Sequence, residues 1–201
     1  MKKKLILIIL IITLSILTFL LIIKYVRKNN VEDEAKIINK IEEYGYVLED
    51  NMPKLHKTYF DELVELLNKT DIDEEKYANL VVKLFISDFY NIENKITKND
   101  VGGLQYIHST IKDNVALNAR NTIYKYIENN IDGKRTQELP KVTDVNIVDT
   151  KQVTYTYGDQ RDEKAYIVKV SWKYKADLGY QKEASITLVH EGKKLSIVEL
   201  K

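Results

Sequence analysis

Three histidines, His56, His108 and His190, are the side chains best suited to proton transfer near neutral pH, and each stands alone in its stretch of chain. A hydrolytic zinc site needs two imidazoles one helical turn apart with a carboxylate between them, and no such spacing occurs. No serine sits in the Gly-x-Ser-x-Gly elbow that would expose an activated hydroxyl. Cysteine is absent, which excludes thiol nucleophiles, thiolate metal sites, disulfides and a lipid-modified N-terminal cysteine. Asp71, Asp73, Glu74 and Glu75 are dense enough to suggest calcium, but the spacing and the glycine of a calcium loop are missing. They read more simply as a helix cap. Gly102-Gly103 lacks the flanking residues of a phosphate loop and reads as a turn or a close backbone approach. His190 falls on the inward alternation of its expected strand, which makes it the candidate base of any pocket there; a core or turn histidine is the plainer alternative. No catalytic, cofactor-binding or metal-ligating set is assigned, and the chain is expected not to be an enzyme.

The 14 tyrosines carry a second possibility. Tyr155, Tyr157, Tyr166, Tyr174 and Tyr180 fall in the expected sheet, and a phenol joins a large contact area to a polar tip, which suits interfaces. Tyrosine is also a good strand former, and alternation assigns several of these rings to the buried face.

The strongest signal lies at the N-terminus. Leu5 to Ile23 reads LILIILIITLSILTFLLII, 19 residues without charge, proline or glycine, 16 of them Ile, Leu or Phe. At ~1.5 Å per residue such a helix reaches roughly 28 Å, close to the ~30 Å hydrocarbon core of a bilayer. A cleaved signal peptide would have a shorter apolar region ending in a small-x-small site, whereas Lys24, Tyr25, Val26 and Arg27 follow here. A retained single-pass anchor is the expected reading. Lys2, Lys3 and Lys4 nearly balance Lys24, Arg27 and Lys28, so orientation rests on the short head. That head points to an N-terminus in the cytoplasm and a C-terminal domain outside.

Charge divides the chain at the same place. Residues 1–28 hold six of the 31 basic residues and no acid, leaving 25 basic against all 30 acidic residues in 29–201. A mildly acidic domain lacks the footprint of a general nucleic-acid binder, so no nucleic-acid partner is expected. Two parts follow: 1–28 as basic head and transmembrane anchor, and 29–201 as a single exported domain.

Within that domain helical periodicity comes first. Ile37, Ile41, Tyr44 and Leu48 form a stripe that predicts a helix over 31–50. Pro53 opens a second, with Phe60, Leu63, Val64 and Leu67 on one face. Asp71 and Glu74 have the form of a capping box before a third, whose buried side is Tyr77, Leu80, Val81, Leu84, Phe85 and Phe89. A fourth is expected over 109–129, with Ile111, Val115, Ala119, Thr122/Ile123 and Tyr126 inward, completing a helical part at 31–130. Beyond Pro140 the period becomes two, through Val145/Ile147, Val153/Tyr155/Tyr157, Tyr166 to Tyr174, Ala184 to His190 and Leu195 to Val198. Short connections imply an antiparallel meander of four to five strands over 141–200. The fold class is α+β: an N-terminal transmembrane helix, then about four helices packed on a C-terminal curved antiparallel sheet.

An anchor, three or four helices and a tyrosine-rich antiparallel sheet closing the chain resembles the cone-shaped, cystatin-like domain of the nuclear transport factor two superfamily. More narrowly, it resembles the single-pass envelope proteins of bacterial conjugation and type IV secretion channels that carry such a domain. The resemblance spans 31–201 and is one of architecture; no residue motif carries a functional position across. It implies a non-catalytic assembly domain held outside the cell membrane, with other envelope proteins as partners. The superfamily's ligand binders and enzymes, which use the open end of the cone, imply the alternative: a small-ligand-binding or hydrolytic pocket.

Overall fold

The computed structural model describes residues 12–22 and 36–201. Two compact units divide the chain, Met1–Lys36 and Ile37–Lys201. In the first, residues 12–22 form helix α1, and every one of its side chains is exposed. Among the described residues no helix is long and apolar enough to cross a membrane. The remainder of the apolar run, 5–11 and 23, lies outside the described residues, as do the basic flanks and Glu32, Asp33 and Glu34.

The second unit is α+β and opens with an element that helical periodicity did not predict. In place of a helix over 31–50, strands β1 (Ile37–Ile41) and β2 (Tyr46–Glu49) pair antiparallel as a hairpin. Gly45, at φ +69, provides the left-handed residue that closes the turn, and its N–H bonds to Ile41 O at 2.8 Å. Tyr46 and Leu48 are buried while Val47 and Glu49 are half-buried, a period of two confined to four residues. That short alternation was masked by the i, i+4, i+7 spacing of Ile37, Ile41 and Tyr44.

Helix α2 (Lys54–Leu67) follows Pro53 as expected and buries Phe60, Leu63 and Leu67, with Val64 half-buried. Helix α3 (Glu74–Phe89) buries all six of its expected inward residues. Its cap is Asp73, whose carboxylate accepts the Lys76 N–H at 3.1 Å, rather than the expected Asp71–Glu74 box. Helix α4 is shorter than predicted, Lys112–Asn121 against 109–129. It stops because Tyr124 is drawn fully into the core, where its hydroxyl donates to Phe89 O at 2.6 Å and accepts the Gly102 N–H at 3.2 Å. Tyr126, expected inward, is consequently 75% exposed.

The sheet matches the expected meander. Strands β3 (Val142–Tyr157), β4 (Gln160–Tyr174), β5 (Glu183–Glu191) and β6 (Lys194–Leu200) lie in the order β3-β4-β5-β6, all antiparallel. The two separate strands expected before residue 158 are one long strand. Its register shifts at three places, after Val142, Ile147 and Val153, and Asp144, Asp149 and Lys151 lie along it. Such irregularities and charges are the means by which an edge strand avoids pairing with another chain. Helix α3 packs on α2 on one side and on β3, β4 and β6 on the other. Trp172, Phe85 and Leu188 fill the space between helix and sheet, with Trp172 against Tyr90 at 4.5 Å between ring centroids.

Candidate functional site: a sealed polar core and an apolar cleft

Polar side chains converge in the interior where α2, α3 and the Gly102-Gly103 turn meet. His56 Nδ1 lies 2.9 Å from Ser87 Oγ, and Ser87 Oγ in turn donates to Leu84 O at 3.1 Å. On the other side of the ring, Nε2 is 3.4 Å from the Tyr106 hydroxyl, which accepts from Gln105 Nε2 at 3.2 Å. One direction of donation satisfies every group: Gln105 to Tyr106, Tyr106 to His56 Nε2, His56 Nδ1–H to Ser87, Ser87 to Leu84. A serine nucleophile requires the opposite polarity, with the imidazole accepting the hydroxyl proton. His56, Ser87 and Tyr106 are also closed off from solvent. Burial pushes His56 down to about 4, so the ring is neutral in the folded protein.

One helical position further on, Asp88 accepts from Lys95 Nζ at 2.5 Å and from the Gly103 N–H at 2.6 Å. Burial alone would raise this carboxyl, but the Lys95 charge and the Gly103 N–H hold it below its ordinary range. The turn can approach so closely because it lacks side chains. A Cβ on Gly102 would stand 2.5 Å from Asp88 O and 2.6 Å from Lys95 Nζ, and Gly103 (φ +73) faces the Phe85 ring. Both expectations for Gly102-Gly103, a turn and a close approach, describe it.

A pair of phenols ties the hairpin to the sheet. Tyr46 O–H donates to Leu195 O at 2.9 Å, Leu195 N–H donates to Tyr77 at 3.0 Å, and the two hydroxyls meet at 2.8 Å. The Gln105 side chain pairs with both backbone groups of Val47, at 2.9 and 3.0 Å, as a strand would.

His190 sits between two carboxylates. Its Nδ1 and its backbone N–H both reach Asp162 Oδ2, at 2.8 and 2.7 Å, and its Nε2 faces Glu74 Oε1 at 3.7 Å. Tyr166 O–H donates to the same Glu74 carboxylate at 3.4 Å. An oriented, partly exposed imidazole of this kind has one element of an acid–base site, yet its free nitrogen meets a carboxylate rather than a hydroxyl. His108 is buried, with Nδ1 2.8 Å from Thr110 Oγ1. The three histidines thus occupy three separate networks. Among the described residues no three His, Cys, Asp or Glu side chains are grouped to hold a metal ion.

An apolar concavity lies elsewhere in the described residues. A cleft of about 620 Å³ runs between α4 and the end of β6. Ile111, Val115 and Ile123 form one wall, Ile197 and Leu200 another, and Phe89 contributes to the floor. Its polar side chains are Asn118, Thr122, Gln181, Glu199 and the phenols of Tyr90 and Tyr180, and the Tyr90 hydroxyl donates to Gln181 Oε1 at 3.1 Å. Tyr180, expected in the sheet, lies instead in the connection between β4 and β5 and lines this cleft, whereas Tyr155, Tyr157, Tyr166 and Tyr174 do not.

The fold and these sites define an α+β domain with a closed polar core, a helix-flanked antiparallel meander and an open apolar cleft beside α4. No family model matches the chain, and no curated protein or solved structure matches it.

The sequence reading missed Ser87, Asp88, Lys95, Gln105 and Tyr106. A signal for part of this was present: Ser87-Asp88 interrupts the apolar end of α3, where a carboxylate opposes the helix dipole and needs a cation to stay buried.

Proposed function

We propose that this chain is a single-pass cell-membrane protein with its basic N-terminal head in the cytoplasm and its folded unit outside. That unit mediates protein–protein contacts in an envelope-associated assembly and carries no catalytic centre. The observation behind the reading is the run from Leu5 to Ile23 standing in front of a compact α+β unit. Its described part, 12–22, is helical with apolar side chains exposed on all sides, a surface suited to hydrocarbon rather than water. The non-catalytic part is supported by the polarity of the His56–Ser87 pair and its enclosure. An assembly of the secretion or conjugation type is in keeping with the order of elements, although the β1–β2 hairpin departs from the expected leading helix.

The second reading, a pocket-based role, is favoured in its ligand-binding form by the cleft beside α4. Its hydrolytic form has less support, since His190 stands outside that cleft.

Protease added to intact cells should remove the folded unit, and in-cell crosslinking should recover it joined to another envelope protein. Protection of the unit until the membrane is permeabilised overturns the orientation. Recovery only as an uncrosslinked monomer overturns the contact role.

A further inference from the structure

We propose that the cleft between α4 and β6 binds the aliphatic chain of an uncharged amphiphile, such as a long-chain alcohol. This names the ligand class for the ligand-binding reading and rests on that reading alone; it holds whether or not the N-terminal run spans a bilayer. Helix α4 packs chiefly on the turn Leu104–Tyr106 and stands off from the sheet. The apolar side chains along it are therefore incompletely covered: Val115 within the helix, and Ile111 and Ile123 just beyond its two ends, are only half-buried, although each packs against the core. The gap of about 620 Å³ falls within the range of small-molecule sites, roughly 300–1,000 Å³.

The wall chemistry selects the head group. Glu199 is the one charged side chain on the wall, and its carboxylate is engaged by Lys201 Nζ at 2.9 Å and Thr187 Oγ1 at 3.3 Å. No cation lines the cleft and Lys201 is committed to Glu199, so an anionic head would find no free counter-charge; a cationic head would have to displace Lys201. Neutral groups remain available at the exposed mouth. Gln181 Nε2 spends one proton on Glu183 O and keeps a second, and the Thr122 hydroxyl donates to Asn118 O and can still accept. A hydroxyl head can accept from Gln181 or donate to Thr122 while the chain lies against Ile111, Val115 and Ile197.

The test uses the full chain in lipid nanodiscs with hexadecanol carrying a mid-chain diazirine. Irradiation and peptide mapping should place the adduct within 107–123 and 197–200, and unlabelled hexadecanol should compete while palmitate and hexadecyltrimethylammonium should not. Val115→Trp fills the cleft, and losing the burial of even two methylene groups weakens binding about tenfold. Adduct at the cleft should fall by about that factor or more, whereas Leu117→Trp, on the exposed face of the same helix, should leave it unchanged. Should Val115→Trp fail to fold, Ile123→Trp replaces it. Adduct confined to the N-terminal run, equal labelling in the filled variant, or equal competition by palmitate overturns the proposal.

Discussion

Lys95 Nζ meets Asp88 Oδ1 at 2.5 Å with the two side chains only 3% and 5% exposed, and the same carboxylate fixes the Gly103 N–H. The pair locks the end of α3 to the turn that follows it. Removing one partner leaves an uncompensated charge in the interior. Asp88→Ala should lower unfolding stability by about 3–5 kcal/mol, and Lys95→Met by a similar amount. The double replacement Asp88→Leu/Lys95→Met should recover part of that loss, because two desolvated charges are exchanged for apolar contact, while the Gly103 N–H left without its acceptor keeps about 1–3 kcal/mol of it. Urea denaturation of all four proteins tests this; additive losses in the double variant would contradict it.

His56 gives stability a particular pH dependence. Its folded-state value is pushed down to about 4, while the unfolded chain titrates near 6.5. Between those values the unfolded state binds the extra proton, so stability is complete above about pH 6.5 and declines as the pH falls towards 4. The loss should total about 3 kcal/mol, with a slope of up to ~1.4 kcal/mol per pH unit. Asp88, held low, adds a further loss only below about pH 4. Chemical denaturation across pH 4–7 should show the decline, and His56→Gln should flatten it even if its stability at pH 7 is lower. An unchanged slope in that variant would assign the effect to another group.

Long-range geometry separates what was legible in the sequence from what was not. Tyr77, Leu80, Val81, Leu84, Phe85 and Phe89 repeat over four turns of one helix, so α3 and its buried face could be read directly. The meander was legible for the same reason, with alternation sustained from Tyr166 to Tyr174 and short turns on either side. The hairpin was not. Four residues of alternation in β2 are too few to outweigh a helical spacing that overlaps them, and the backbone of Val47 is held by Gln105, 58 residues away. The polar core depends on partners equally remote: Ser87 with His56, and Tyr106 with His56. The cleft arises from how far α4 stands from β6, a separation that no local pattern encodes.

Gly103 and Gly45 share a positive φ, +73 and +69, but differ in their surroundings. A methyl group on Gly45 would meet nothing within 4 Å, so Gly45→Ala should carry only the backbone penalty of about 1–2 kcal/mol. At Gly103 the same methyl would lie 2.8 Å from Phe85 Cδ2 and 3.0 Å from Phe89 Cβ, both within the core. Gly103→Ala should add an overpacking loss of about 1–3 kcal/mol to the backbone term. Thermal melts of the two variants would measure the difference, and equal midpoints would show that the turn yields without disturbing α3.

Tyr46 and Tyr77 hold Leu195 from both sides of its peptide, one accepting its N–H and the other donating to its C=O. Since the hydroxyls also bond to each other, removing either breaks that shared bond along with its own bond to Leu195. Tyr46→Phe leaves Leu195 O without its donor and deprives the Tyr77 proton of its acceptor; Tyr77→Phe leaves Leu195 N–H unpaired. Each should lower stability by about 1–3 kcal/mol, the penalty for a buried polar group without a partner. Because the hydroxyl–hydroxyl bond is lost in either single variant and is counted twice in their sum, the double variant should lose less than the sum by about 0.5–3 kcal/mol. Amide hydrogen exchange provides an independent readout. The Leu195 N–H should be protected in the parent protein and in Tyr46→Phe, and exchange faster in Tyr77→Phe. Strict additivity, together with unchanged protection at Leu195, would mean that the hairpin is held to β6 by packing alone.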